Sequence, residues 1–247
     1  MKNSTHNRQT LSSPTRPSYR LQDWGLGNGQ ENYKPLSSPT GDGRKMFEPY
    51  MTDLTILYAT AHKVPEYFRE KIVDKLYENS GNYPILEIHT WPENSSIEHY
   101  YKELLVHASM IDTPYIAFAE DDCLYPDEHF NFRPTKPFGY NFNRWNIHTW
   151  SDPPFFYLKQ RRILATLIAD RKEFIKVMKG RTHERMFEPG RGNEEWEAFE
   201  TYNPVVVFTH PDAFGYLDGK KRAGKIRALE IPYFGKASDI MKLYVKE

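Results

Sequence analysis

Three acidic residues in a row, Glu120, Asp121 and Asp122, follow directly on a run of five suited to a buried strand, Tyr115 to Ala119. A carboxylate buried without a partner costs several kcal/mol. Acids at the end of a core strand therefore either leave for solvent, with Pro126 helping to end the strand, or hold something positive. Hard divalent cations take carboxylates, usually one or two from the protein, and phosphates supply the rest. The triplet thus suits a divalent ion together with a nucleotide. Two other places carry reactive groups. Glu194 and Glu195 sit in "GRGNEEWEAFE" (190–200), where acids in the first turn of a helix would complement its dipole. His210 ends the apolar run "VVVFTH", as a hydrogen-bonding group or as a ligand.

The elements that must position these groups alternate. "DLTILYATA" (53–61) is a short, β-rich apolar run. In "VPEYFREKIVDKLYENSG" Phe68, Ile72 and Leu76 recur every four residues and Gly81 supplies a stop, which predicts a helix. "YPILEIHT" (83–90) predicts a second strand. Ser95 or Ser96 caps a second helix in which Ile97, Tyr101, Leu104, Leu105 and Ala108 share one face. "PYIAFA" is the third strand. Strand, helix, strand, helix, strand predicts a parallel α/β sheet with right-handed crossovers. Ligands in such sheets sit beyond the carboxyl ends of the strands, which is where the triplet emerges. Further on, "FGYNFNRWNIHTW", "PFFYL" and "PVVVFTH" read as strands, a helix runs from about residue 171, and "GNEEWEAFETY" reads as a short acidic helix.

Charge and composition exclude several classes. Lys and Arg number 33 and so do Asp and Glu, which argues against a broad basic surface for nucleic acid. The one cysteine, Cys123, allows no internal disulfide, so a reducing compartment fits. No apolar run approaches the roughly 20 residues of a membrane span. The first twenty residues lack the apolar stretch of a secretory signal, and the expected location is cytoplasmic. Residues 1 to about 50 are rich in Ser, Thr, Pro, Gly, Asn and Gln, repeat "LSSPT", and read as an extended polar arm that Trp24 and Leu26 can anchor.

An apolar strand, then Glu-Asp-Asp, then "YPDEHF", resembles the DxD-type element of GT-A fold glycosyltransferases, in the Glu-Asp-Asp version of the N-acetylglucosaminyltransferases that act on N-glycans. The resemblance implies Asp122 as ligand of the metal that bridges a nucleoside diphosphate, with Glu120 and Asp121 towards the nucleoside and the donor sugar. "GRGNEEWEAFE" resembles the Gly-Glu-Asp-Trp element of galactosyltransferases and family 2 enzymes, which implies Glu195 as catalytic base and Glu194 as an acceptor contact. Asn193 stands where that pattern has a glycine, and Glu where it has Asp. In similar enzymes a histidine after a buried strand completes the metal site, which implies His210. Lys221 and Arg222, in a glycine-punctuated stretch, would close over the diphosphate. Thr60 and Ala61 follow the first strand, where this fold holds the base. Trp145 and Trp196 would lie along the acceptor groove, near His148 and Trp150. The resemblance covers residues 52 to about 235.

The expected fold is α/β, a GT-A-like mixed and mainly parallel sheet flanked by helices, with the N-terminal arm outside it. The expected activity is transfer of a sugar from a nucleoside diphosphate donor, a UDP-sugar for preference, to a hydroxyl acceptor, with Mn²⁺ or Mg²⁺ as Lewis acid. With Glu195 as base the outcome would be inversion. A carbohydrate acceptor is the default; a modified DNA base gains no support from a neutral chain. Two other classes stay open. A nucleotidyltransferase would want a glycine-rich phosphate loop after the first strand, and "ATAHKVPEY" has no glycine. A non-catalytic binding module would bind no nucleotide, with or without Mn²⁺.

Overall fold

A computed structural model of the chain describes residues 52–90, 96–157, 162–181, 189, 192–213 and 226–245. The arm expected over residues 1–50 lies outside these residues, as do Lys221 and Arg222.

The first strand, β1 (Leu54–Thr60), is buried along its whole length, as its unbroken apolar character requires. The next helix, α1 (Glu66–Asn79), turns Phe68, Ile72, Val73 and Leu76 inward. It leads to β2 (Ile85–His89). The following helix, α2 (Ile97–Met110), starts where the Ser96 hydroxyl accepts the His99 backbone N–H at 3.0 Å, a cap that satisfies one of the orphan donors of the first turn. Then comes β3 (Tyr115–Glu120). β1 pairs in parallel with both β2 and β3, the expected βαβαβ unit. The chain continues through β4 (Cys123–Leu124), β5 (Phe138–Asn141), β6 (Arg144–His148), β7 (Phe155–Tyr157) and β8 (Leu167–Asp170). It ends with α3 (Arg171–Lys179), β9 (Trp196–Phe199), β10 (Val205–Thr209), β11 (Ile226–Ala228) and α4 (Ala237–Met241).

Among the described residues these strands form two main sheets. The larger runs β2-β1-β3-β8-β5-β9 and is mixed, because β8 is antiparallel to both its neighbours. The smaller runs β11-β7-β6-β10-β4 and is mostly antiparallel, with β6 and β10 its parallel pair. One face of the larger sheet packs Leu57, Phe118 and Leu167 against Leu104 of α2 and Phe174 of α3. A second cluster joins the two sheets through Ala117, Ala119, Cys123, Val205 and Val207. A third packs Ile147, Phe155 and Phe208 of the smaller sheet against Phe68 of α1 and Met241 of α4. Phe68, Phe118, Phe174 and Phe208 are all almost wholly buried, each contributing roughly 1.5–3 kcal/mol relative to exposure. No helix among the described residues is long and apolar enough to cross a membrane.

The mixed α/β class is as expected from the sequence. Two features differ. The second sheet was not foreseen. "GNEEWEAFETY", expected to be a short helix, instead forms β9, the edge strand of the larger sheet, paired in parallel with β5.

Candidate functional site

The acidic triplet is the point where the chain passes from one sheet to the other. Glu120 closes β3, Asp121 and Asp122 turn, and Cys123 enters β4. β4 pairs antiparallel with β10, and the Phe208 N–H donates to the Asp122 carbonyl at 2.8 Å. That pairing carries the end of β10 to the triplet, so His210 Nε2 lies 3.7 Å from Asp122 Oδ2. The structure thus brings together the two residues that the sequence assigned to a metal.

The surroundings of the triplet are polar, and the charge of Arg69 acts on Asp121. Asp121, 8% exposed, accepts a hydrogen bond from the Thr60 hydroxyl at the end of β1. Asp122 Oδ1 accepts from the Cys123 thiol at 3.1 Å. Glu120 Oε1 accepts from the Tyr100 hydroxyl at 3.2 Å, and its N–H donates to the Tyr125 hydroxyl at 3.1 Å. Burial pushes the Asp121 carboxyl above its usual range, against the opposing effects of Thr60 and Arg69. Burial also pushes Asp122 up, and the charge on Asp121 adds to it. His210 is driven the other way, to about 4, mainly by burial, so it is neutral at pH 7. Its Nδ1 is buried with no hydrogen-bond partner.

This donor set fits a hard divalent cation. Such an ion supplies the charge that the buried carboxylates want, and neutral imidazole is a competent ligand beside them. The 3.7 Å between Asp122 and His210 is too long for a hydrogen bond and falls within the spread of about 3.0–4.2 Å open to two ligands of one ion at bonds of about 2.1 Å. Glu120, Asp122 and Cys123 also offer atoms within 4.8 Å of one another. Burial, with the nearby carboxylates, raises the Cys123 thiol well above its usual range, so it acts as a hydrogen-bond donor to Asp122 and not as a thiolate ligand.

At the end of β1 the Thr60 hydroxyl also accepts the His62 N–H at 3.1 Å, and Ala61 is buried beside it. His62 has φ +52°, a left-handed conformation uncommon outside glycine, and its Nε2 meets His89 Nδ1 at 3.0 Å. His89 in turn contacts Glu87 at 3.3 Å. Sequence reasoning passed over this histidine pair; its signal was one histidine just past the end of the first strand and one at the end of the second.

On the smaller sheet, His210 lies next to the end of β6, where the Thr149 N–H donates to the Thr209 carbonyl at 3.0 Å. Here four side chains stack. Trp150 lies on His148 with ring centres 4.6 Å apart, His148 on Phe156 at 4.6 Å, and the Arg227 guanidinium over Phe156 at 5.2 Å. Burial lowers the affinity of His148 for a proton.

Three assignments at Glu194, Glu195 and Trp196, just before and at the start of β9, fail for one reason. β9 runs parallel to β3, because β5 and β3 are both antiparallel to β8. Trp196 is level with Phe138, Ala169 and Ile116, at the amino-terminal end of β3. Asp122 lies at the other end, six residues beyond Ile116, and β9 is three strands away from β3. At about 3.3 Å per residue and about 4.8 Å per strand, the separation is on the order of 20 Å. Glu195 therefore does not reach the acidic site, and the inverting assignment that depended on it goes too. Glu195 instead pairs with Lys136 at 2.9 Å, largely exposed. Glu194 pairs with the buried Arg181 and is no acceptor contact; burial raises its carboxyl, but the Arg181 hydrogen bond and charge, together with backbone hydrogen bonds, outweigh it and hold it low. Trp196 carries Arg162 over its ring at 4.6 Å on the same far edge. Trp145 lies on the smaller sheet. It packs on Tyr157 at 5.2 Å and against the third apolar cluster, on the face of the smaller sheet that meets α1 and α4.

The site and sheets define an α/β protein with an acidic centre at the carboxyl end of a parallel βαβαβ unit. No family model matches the chain, and no curated protein matches it. Ten chains of known structure do. One is a glycosyltransferase involved in the glycosylation of the major capsid of PBCV-1, 9% identical, with a TM-score of 0.37 over 62% of this chain and 93% of that one. So slight a likeness decides neither the fold family nor the chemistry.

Proposed function

We propose that the protein is a metal-dependent glycosyltransferase of GT-A-like fold that moves a sugar from a nucleoside diphosphate donor, a UDP-sugar for preference, to a hydroxyl acceptor. One observation carries this reading. Asp122 and His210, each at the end of its own buried strand, converge to 3.7 Å beside the carboxylates of Glu120 and Asp121. Bound there, Mn²⁺ or Mg²⁺ supplies the positive charge that neutralises a departing diphosphate. Asp122 and His210 hold the ion. Thr60 fixes the rotamer of Asp121 by donating to it, so that its free oxygen faces the donor. Tyr100 donates to Glu120 and fixes its side chain. The β4–β10 pairing keeps both ligands on rigid backbone, which preserves the geometry of the site between turnovers.

A thermal-shift screen of UDP, GDP, their sugar conjugates and the matching triphosphates UTP and GTP, each with and without Mn²⁺, tests the proposal. Stabilisation by one nucleoside diphosphate that requires Mn²⁺ is the expected result. Stabilisation only by a nucleoside triphosphate would favour nucleotidyl transfer, and no nucleotide effect at all would leave a binding module.

A further inference from the structure

We infer that the protein carries a second binding site, a cleft of about 560 Å³ at the amino end of the larger sheet, and that this cleft takes a short neutral saccharide. Its walls are Thr52 and Asp53 ahead of β1, residues 78–83 between α1 and β2, and the two ends of a short 3₁₀ helix, Asp127–Asn131. β1 is seven residues long, so at about 3.3 Å per residue the cleft lies on the order of 20 Å from Thr60 and Asp121. Parallel sheets bind their ligands at the carboxyl ends of the strands, so the proposed transfer does not account for a cleft at the other end.

The volume is that of a small-molecule site, which spans about 300–1,000 Å³. The lining decides the class of ligand. Asp53 is paired with Arg133 and Glu78 with Lys75, so among the described lining residues Asp127 alone carries an uncompensated charge. A cation finds one charge to satisfy, and a phosphate-bearing ligand finds carboxylates. A metal ion is disfavoured too, because the group of carboxylates close enough to share one lies at the acidic centre. What remains is hydrogen bonding. The amides of Asn82 and Asn131 both donate and accept, while Asp53 and Asp127 accept. Neighbouring hydroxyls of a sugar each give one proton and can take another, which matches that lining. The walls are also set before a ligand arrives. Asn79 Nδ2 donates to the Tyr125 carbonyl at 2.7 Å, and its Oδ1 accepts from the Tyr233 hydroxyl at 3.0 Å. Arg133 holds Asp53 through two nitrogens and lies over the Tyr83 ring at 5.1 Å. Groups fixed in advance lose little freedom on binding. Gly81 keeps the turn open: it follows α1 in the left-handed conformation, φ +62°, and nothing lies within 4 Å of where a Cβ would stand.

Titration of the full chain followed by ¹⁵N–¹H NMR, with neither metal nor nucleotide added, tests this directly. The probes are maltose, cellobiose, lactose and N,N′-diacetylchitobiose, with spermidine for the cationic class. At least one disaccharide should shift the backbone amides of Ser80, Gly81 and Asn82 and leave those of Thr60 and Asp122 in place. Asp127→Asn combined with Asn131→Ala should weaken that binding at least tenfold. Both side chains are exposed, so the melting temperature of the double variant should stay that of wild type. Asn82→Ala, a change in the opposite wall, should weaken binding as well. Asp122→Asn should leave it unchanged while abolishing the Mn²⁺-dependent effect of the nucleoside diphosphate, so the two sites can fail separately. Absence of any disaccharide shift, shifts confined to Thr60 and the acidic triplet, equal binding by wild type and both cleft variants, or binding of spermidine alone would each overturn the proposal.

Discussion

Replacing Asp122 by Asn should stabilise the metal-free protein and destabilise it relative to wild type once metal and nucleotide are present. The side chain of Asp122 is only 13% exposed, with the charge of Asp121 beside it. Its Oδ1 is served by a thiol and its Oδ2 faces a neutral imidazole. Asn keeps the shape and still accepts from Cys123, but removes a poorly compensated buried charge. Replacing a buried ion pair by uncharged groups of similar volume is neutral or gains about 1–4 kcal/mol, and neutralising a carboxylate without a close cation should gain an amount of that order. At roughly 2–4 °C per kcal/mol for a chain of this size, the variant in EDTA should melt several degrees above wild type. With Mn²⁺ and the nucleoside diphosphate at a hundred times the dissociation constant, wild type should gain about 2.7 kcal/mol and the variant almost nothing. Differential scanning calorimetry in the two buffers reads both effects, and the order of the melting temperatures should close or reverse. A variant less stable than wild type in EDTA would mean that the carboxylate is already well paired. An equal gain from Mn²⁺ in both proteins would remove Asp122 from the metal.

Glu195→Gln should change turnover less than twofold, measured as release of nucleoside diphosphate from the donor, because Glu195 and its exposed partner Lys136 lie at the far end of the larger sheet; a fall of about a hundredfold or more, the mark of a lost general base, would refute that placement. His129 is wholly buried, accepts from Asn141 Nδ2 at 3.1 Å, and has its proton affinity pushed down to about 3 by burial. It stays neutral in the folded chain while the unfolded chain protonates it below about pH 6.5. Its contribution is therefore lost as pH falls from there, at up to about 1.4 kcal/mol per unit and about 2 kcal/mol by pH 5. Urea unfolding at pH 7 and pH 5 should show that extra loss in wild type and not in His129→Asn; parallel losses in the two proteins would show that another group is responsible.

What could be read from the sequence was local. α1 announced itself through Phe68, Ile72 and Leu76, and all three are buried as the spacing required. Ser96 capped α2 because a side-chain oxygen just before an apolar period has one obvious use. β9 had no such signal. Trp196 and Ala198 are exposed and Glu197 and Phe199 half-buried, a weak alternation in a run of acids. What makes it a strand is Phe138–Asn141, far away in the chain, together with Glu197, whose carboxylate accepts the N–H of Lys136 at 2.9 Å. The smaller sheet was hidden for the same reason, since a strand of two residues, Cys123–Leu124, shows no period at all. Trp145 and Trp150 illustrate a subtler loss. Alternation separates them, with Trp145 on the side of Ile147 and Trp150 stacked with His148. Apolar clusters cover both faces of that sheet, however, so the pattern does not say which side meets the ligand.

The strongest argument for the site comes from how the rest of the chain treats its acids. Asp53 is clasped by Arg133 through two nitrogens, at 2.9 and 2.6 Å, and held below the usual carboxylate range chiefly by that bond. Glu66 has Arg69, Glu194 has Arg181, and even the exposed Glu195 has Lys136. A chain able to supply arginine to carboxylates that are half in water gives Asp121 and Asp122, among the described residues, a hydroxyl, a thiol and an uncharged imidazole. Arg69 does act on Asp121, but its guanidinium is already held by Glu66. Folding alone would favour an arginine there or no charge at all, because a buried carboxylate without a cation raises the free energy of the native state. Under the proposed function that cost is met by a positive charge that arrives with the substrate.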